Sequence, residues 1–153
     1  MDTMTKAQRS YTMSQIRSNN TGPERRLAML LVRSGLSFHR WTDLPGKPDI
    51  VLKRHKVAIF VDGCYFHGCK KHCKIPKTNV RFWTDKIDTN KARDRRVNKT
   101  LRKDGWLVWR FWEHELKKSG STRLIFGRLK ALQAISGTLW PSKGPETRGS
   151  ETE

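Results

Sequence analysis

Residues 57–73 read V-A-I-F-V-D-G-C-Y-F-H-G-C-K-K-H-C, and this stretch decides the fold. Val57 to Val61 is an almost wholly apolar run, the pattern of a strand buried on both faces. The chain then changes character within one residue. Asp62, Cys64, His67, Cys69, His72 and Cys73 place carboxylate, imidazole and thiol groups on the loop that leaves the strand, and all three cysteines of the protein fall there. Three thiolates and an imidazole make a closed tetrahedral zinc shell, and a shell of four protein ligands leaves no position for water, so its role is structural. Cys64, Cys69 and Cys73 are close enough in sequence to share one ion. Spacing leaves the fourth ligand open between His72, adjacent to Cys73, and His114, just past a later strand. His67 is either one more ligand or a neutral imidazole suited to acid–base work near neutral pH.

Upstream, Pro45-Gly46-Lys47-Pro48 is a rigid turn into a first strand, Asp49 to Leu52, and Arg54-His55-Lys56 is a hairpin turn into the central one. Asp49 alone reads as a turn cap. Its partner strand, however, delivers Asp62 and His67 at its far end, and carboxylates with a histidine beside a basic surface can hold Mg²⁺ and activate water for phosphodiester cleavage. Thr21-Gly22-Pro23-Glu24 is a capping box that starts a helix through Leu27, Leu30 and Leu31, ending at Gly35. Glu24 is its distal member and faces the same region.

Downstream, the pattern predicts a long polar helix over Phe82 to Lys103 with its stop near Gly105, then a strand over Trp106 to Trp112. A last amphipathic helix over Arg123 to Ile135 runs through Leu124, Leu129, Leu132 and Ile135. Asp94, within Arg93-Asp94-Arg95-Arg96, reads as a surface ion-pair partner. Alternating helices and strands imply an α/β domain over residues 21–136. A basic segment over residues 1–20, a short helix or an arm, precedes it, and a Gly-, Pro- and Ser-rich tail over 137–153 reads as disordered.

The 153 residues carry 32 basic and 14 acidic side chains, a net charge of +18. That balance suits a polyanion, since Lys and Arg on phosphates release condensed counterions. A hydrophobic content of 35% makes a lean core that a zinc site would help to hold. Three clustered cysteines cannot all pair, and no stretch reads as a signal peptide or membrane span; a reducing cytoplasm is the expected compartment. Tyr65, Phe66 and Trp83 are core aromatics by default, yet on a metal-stiffened loop of a basic protein they are also candidates to wedge between base pairs.

The chain resembles the very short patch repair DNA mismatch endonucleases. Pro45-Gly46-Lys47-Pro48-Asp49, Phe60 through Cys69 with His72-Cys73, Pro76-Lys77-Thr78-Asn79, Phe82-Trp83, Asn90 through Arg95, and Gly105-Trp106 through Trp112-Glu113 carry the likeness, over roughly Tyr11 to Leu116. It implies a restriction-endonuclease-like fold, a mixed sheet flanked by helices, and a Mg²⁺-dependent, strand-specific nick beside the thymine of a T·G mismatch left by deamination of 5-methylcytosine. It implies Asp49 and the Val61 carbonyl as magnesium ligands, His67 as the acid–base group, and Glu24, Asp62 and Asp94 as supporting catalytic residues. Cys64, Cys69, Cys73 and His114 match the structural zinc ligands; Tyr65, Phe66, Trp83 and Met13 match intercalating side chains.

Some members carry histidine in place of Asp62 and cysteine in place of His114. Arg17, Arg25, Arg26, Lys91, Arg93, Arg95 and Arg96 are expected on DNA backbone phosphates. The implied partners are double-stranded DNA with a T·G mismatch and mismatch-repair proteins, with the enzyme acting as a monomer. Two alternatives stand beside this reading: a non-catalytic zinc-stabilised DNA-binding module, and a restriction-type nuclease of the same fold with another target.

Overall fold

The apolar run 57–61 is the middle strand of a computed structural model that describes residues 5–15, 20–40, 42–117 and 121–136. Arg17, the tail at 137–153 and the side chain of Met13 lie outside the described residues. In chain order the elements are α1 (Lys6–Ser14), α2 (Gly22–Arg33), β1 (Ile50–Leu52), a 3₁₀ turn (Lys53–His55), β2 (Val57–Asp62), α3 (Val80–Lys103), β3 (Leu107–Trp112), α4 (Glu113–Lys117) and α5 (Ser121–Ser136). The sheet order is β1-β2-β3. β1 and β2 form the expected antiparallel hairpin, with Ile50 opposite Ile59. β2 and β3 run parallel with Phe60 opposite Arg110, and α3 makes the crossover that a parallel pair requires. His39 adds an isolated antiparallel bridge to Val51. This is the mixed sheet flanked by helices that the sequence led us to expect.

The period of two along each strand sorts the core into two layers. Val57 and Ile59 point to one face, where they meet Leu27, Leu30 and Leu31 of α2, Phe111 of β3, Leu116 of α4, and Ile125, Leu129 and Leu132 of α5. Ala58 and Phe60 point to the other face, onto Leu101 of α3 with Val97, Trp106 and Val108 around them. On α5 Leu129 and Leu132 are buried as expected, while at its start Ile125 is buried and Leu124 is exposed. Phe111 is fully buried in the larger cluster, and Arg128 stacks 4.5 Å from its ring centroid. Phe111→Ala is expected to cost about 3–5 kcal/mol, by lost transfer energy plus the cavity left behind. A urea melt with an unchanged slope and a lower midpoint would show it.

Toward the ends of β2 and β3 the α3 side of the sheet turns from apolar to charged. The series Ala58, Phe60, Asp62 runs alongside Val108, Arg110, Trp112. The matching stripe of α3 does the same: Ile87 and Leu101 are buried apolar residues at its two ends, with Asn90, Asp94 and Asn98 at helical spacing between them. Polar groups on an inward stripe need partners, and here they meet those of the loop and β3. Sites in open α/β sheets form at this edge, beyond the carboxyl ends of the strands.

Candidate active site and metal centre

Beyond those strand ends lies a cleft of about 540 Å³ lined by Glu24, Asp49, Val61, Tyr65, Phe66, His67 and Arg93. Asp49 stands one residue before β1, where the Pro48 turn fixes it, and its Oδ2 accepts the Val61 backbone N–H at 2.7 Å. Burial first, then the charges of Glu24 and Asp62, push the Asp49 carboxyl up to about 6, against the pull of that hydrogen bond and of the Arg110 charge. Glu24 is 4% exposed. Its two oxygens accept the Asn20 N–H at 2.8 Å and the Thr21 hydroxyl at 2.7 Å, so it braces the segment that enters α2 while lining the cleft; the expected capping box does not close, because Thr21 makes no side-chain bond to a helix N–H.

His67 leaves the loop with Nδ1 2.6 Å from Asp94 Oδ2 and 3.7 Å from Asp62 Oδ1. Donation of Nδ1–H to Asp94 leaves Nε2 as the free acceptor of the ring. Asp94 is therefore no surface ion-pair residue: α3 turns it inward, 17% exposed, because it lies on the same stripe as Ile87 and Leu101. Arg110 completes the group. Its Nε donates to Asp62 Oδ2 at 2.7 Å, and its Nη2 reaches Asp62 Oδ1 at 2.6 Å and Asp94 Oδ1 at 3.1 Å. Burial draws the guanidinium down, and bonds to Asp62 and Asp94 more than offset this, so it stays charged. Asp62, His67 and Asp94 have ligand atoms within 4.8 Å of one another, but the Arg110 guanidinium already occupies oxygens of both carboxylates there.

On the other side of the loop, Cys64, Cys69, His72 and His114 bring their ligand atoms within 4.8 Å of one another. Cys64 Sγ lies 3.0 Å from His114 Nδ1 and 3.8 Å from His72 Nδ1, and Cys69 Sγ lies 3.7 Å from His72 Nδ1. Of the expected ligand set, Cys64, Cys69 and His114 stand in this group; His72 joins them, and Cys73 is not part of it. Residues 69–73 close one helical turn, with the Cys73 N–H on the Cys69 carbonyl at 2.9 Å, and the Cys73 thiol faces the Tyr65 carbonyl at 3.4 Å. Two thiols and two imidazoles fit a four-coordinate zinc as well as the expected three and one. Burial pushes the Cys64 thiol up to about 11, so its thiolate needs a cation beside it.

The expected wedge residues come together at the rim. Tyr65 meets Phe66 edge-on at 5.3 Å and Trp83 at 5.1 Å, and Phe82, 60% exposed, extends the row 5.2 Å beyond Trp83. Asn90 donates to the Phe66 carbonyl at 2.9 Å and ties this rim to α3. Gly68 (φ +67°) lets the loop lie against α3, where a Cβ would come within 2.9 Å of Ile87. Of the expected phosphate contacts, Arg93 lines the cleft, Arg25, Arg26, Arg95 and Arg96 are exposed, and Lys91 packs by Gly68 with its ammonium 3.7 Å from Asp88.

Sequence reasoning missed Arg110, Lys86, Glu113 and Asn98 as site residues. Lys86 and Glu113 line the cleft, Glu113 also accepts the Cys64 N–H at 3.2 Å, and Asn98 accepts from Arg110 at 3.1 Å. One signal was available: a lone arginine inside the aromatic strand W-L-V-W-R-F-W needs a buried acid.

A carboxylate and an oriented histidine in a cleft of a strongly basic protein suit the cleavage of a phosphodiester. The chain superimposes on the solved catalytic domain of the homing endonuclease I-Bth0305I with a TM-score of 0.50 and 20% identity, covering 76% of this chain and 97% of that one. The model of the family described as DNA mismatch endonuclease Vsr matches residues 1–75. The type II nicking enzyme V.XorIIP of Xanthomonas oryzae pv. oryzae is 41% identical over 125 residues, 78% of this chain and 90% of that protein. The DNA mismatch endonuclease Vsr of Escherichia coli (strain K12) is 41% identical over 120 residues, 76% of each.

The chain belongs to the Vsr endonuclease family, and it is a DNA endonuclease. Membership overturns the alternative of a non-catalytic binding module. Among the described residues no helix is long and apolar enough to cross a membrane.

Proposed function

We propose that this endonuclease nicks one strand of duplex DNA beside the thymine of a T·G mismatch, with Mg²⁺ as its catalytic cation and Zn²⁺ as its structural one. The observation that carries the proposal is that Asp49 and His67, the latter held by Asp94, line one cleft together with Tyr65 and Phe66, and that Tyr65 packs on Trp83. Asp49 offers a buried, electron-rich oxygen to a hard cation, and with the Val61 carbonyl it would hold Mg²⁺. That ion, when bound, supplies positive charge to the phosphate under attack. His67 Nε2 takes the proton of the attacking water or meets the phosphate. Asp94 holds the ring in the tautomer that allows this and stabilises the imidazolium that forms. Glu24 and Asp62 support the centre through the field they share with Asp49.

Cys64, Cys69, His72 and His114 would hold Zn²⁺ and so stiffen the loop that carries both His67 and the aromatics. A mismatched pair costs less to unstack than a matched one, so insertion of the aromatic row itself contributes discrimination. Arg25, Arg26, Lys91, Arg93, Arg95 and Arg96 grip backbone phosphates without reading sequence. Met13 and Arg17 are assigned to the same duplex contact from the N-terminal segment, by resemblance. The basic charge and reduced thiols suit an enzyme acting on DNA in the cytoplasm beside mismatch-repair proteins.

The type II nicking enzymes among its relatives favour a second reading, in which the target differs at or around the mismatch. A panel of labelled duplexes separates the two, with a T·G or T·A pair set in varied flanking bases. Nicking confined to T·G duplexes supports the first reading, and equal nicking of a matched site supports the second. On the T·G substrate, replacing Tyr65 and Phe66 together by Ala is expected to lower the preference over T·A by about tenfold, the loss of a stacking contact. Unchanged preference would remove the wedge.

A further inference from the structure

We propose that Arg110 is a positioning residue for His67, the clamp that assigns the imidazole to Asp94 and keeps Asp62 from taking it. The inference rests on the reading of His67 as the proton-handling group. Two buried carboxylates face the same ring nitrogen, Asp94 at 2.6 Å and Asp62 at 3.7 Å. A ring nitrogen with one hydrogen can donate well to one of them. Which acceptor wins fixes the direction of the ring and hence the place of Nε2 in the cleft.

The guanidinium makes the two carboxylates unequal. It takes both oxygens of Asp62 in a bidentate grip, at 2.6 and 2.7 Å, the geometry in which an arginine–carboxylate pair is strongest. On Asp94 it touches only Oδ1, at 3.1 Å, and leaves Oδ2 to His67. Arg110 is itself held: Asn98 of α3 accepts from its Nη1 at 3.1 Å, and its guanidinium carbon lies 4.7 Å from the centroid of the Phe60 ring. The register of β2 and β3 places Arg110 opposite Phe60, on the sheet face that carries Asp62. One side chain thus connects the sheet, α3 and, through the two carboxylates, the loop that carries His67, and its charge is also felt at Asp49. A lysine would keep the charge and lose the fork, so it can engage one carboxylate or the other but cannot sort them.

The test uses the full chain with its metals and the variants Arg110→Lys and Arg110→Met. Single-turnover nicking at saturating T·G duplex is expected to fall about 10–100-fold in both, the usual scale for removing an orienting partner, with the Kd for the same duplex within about twofold of the parent. The second readout is the Nδ1–H hydrogen bond of His67 in the DNA-free protein, from ¹H–¹⁵N ring spectra assigned with His67→Gln. The parent is expected to show one Nδ1–H proton signal, shifted far downfield by its short bond to Asp94, and the variants a second signal or an averaged one as Asp62 takes a share. Arg110→Lys preserves the charge, so it remains informative where Arg110→Met does not fold.

An unchanged rate overturns the proposal, as does a slower rate with the His67 Nδ1–H signal untouched. That signal is read without DNA, so it decides the role of Arg110 even where the mismatch reading fails. Loss of nicking in His67→Gln tests that reading separately.

Discussion

Asp49→Asn is expected to lower nicking by at least about three orders of magnitude and at the same time to make the metal-free protein more stable near neutral pH. Both effects come from the same burial. The Asp49 carboxyl is pushed up from 3.8 to about 6, first by burial and then by Glu24 and Asp62. Folding therefore favours its protonated form: its contribution to stability is complete below about 3.8 and is lost as pH rises through about 6. Above that point the fold carries an ionised carboxylate at a cost of about 2–3 kcal/mol.

An asparagine has no charge to bury, and its amide oxygen still accepts the Val61 N–H. In EDTA at about pH 7.5 the variant should melt about 4–8 °C above the parent, and the difference should disappear near pH 4. A variant that loses both activity and stability would mean that Asp49 is a structural cap. The acid is retained at a loss of stability because an ionised oxygen at that position is what a hard cation needs.

The second large effect concerns the metal centre. Cys69→Ser and His72→Ala are each expected to lose one equivalent of bound zinc and several kcal/mol of stability, whereas Cys73→Ser should keep both. Zinc content by atomic emission and thermal melts give the two readouts. The geometry behind the difference is direct: His72 Nδ1 lies 3.7 Å from Cys69 Sγ, and the Cys73 thiol faces the Tyr65 carbonyl. Retention of zinc in His72→Ala with loss in Cys73→Ser would restore the ligand set expected from sequence. Because the loop carries His67 as well as ligands, nicking should fall with zinc in the first two variants and survive in the third.

Much of this site was legible in the chain because the signals are local. The apolar run 57–61 and the Pro45–Pro48 turn encode their own backbone and appear where the pattern puts them, and α2 starts after Thr21 as expected although the box itself does not close. What escaped depends on distances in space. The choice of His72 over Cys73 is made by how one turn of chain closes, which ligand spacing does not specify. The inward direction of Asp94 follows from the helical phase of α3, set by Ile87 and Leu101, residues that a largely polar sequence hides. Arg110 was hidden by its neighbours: within an apolar strand its partner is fixed only by the β2–β3 register and by where Asp62 ends. On α5 the face through Leu129 and Leu132 was legible, and only the choice between the neighbours Leu124 and Ile125 at its start was not.

The central claim is that one cleft, with Asp49 and His67 on its walls, makes a metal-dependent nick at a mismatch. The most direct measurement labels each strand of a T·G duplex and of its T·A counterpart and maps cleavage with Mg²⁺ and with EDTA. The account predicts one cut beside the thymine, in the thymine strand alone, with Mg²⁺ and a T·G pair both required. Cleavage of both strands, cleavage of T·A at the same rate, or cleavage that persists in EDTA would contradict it.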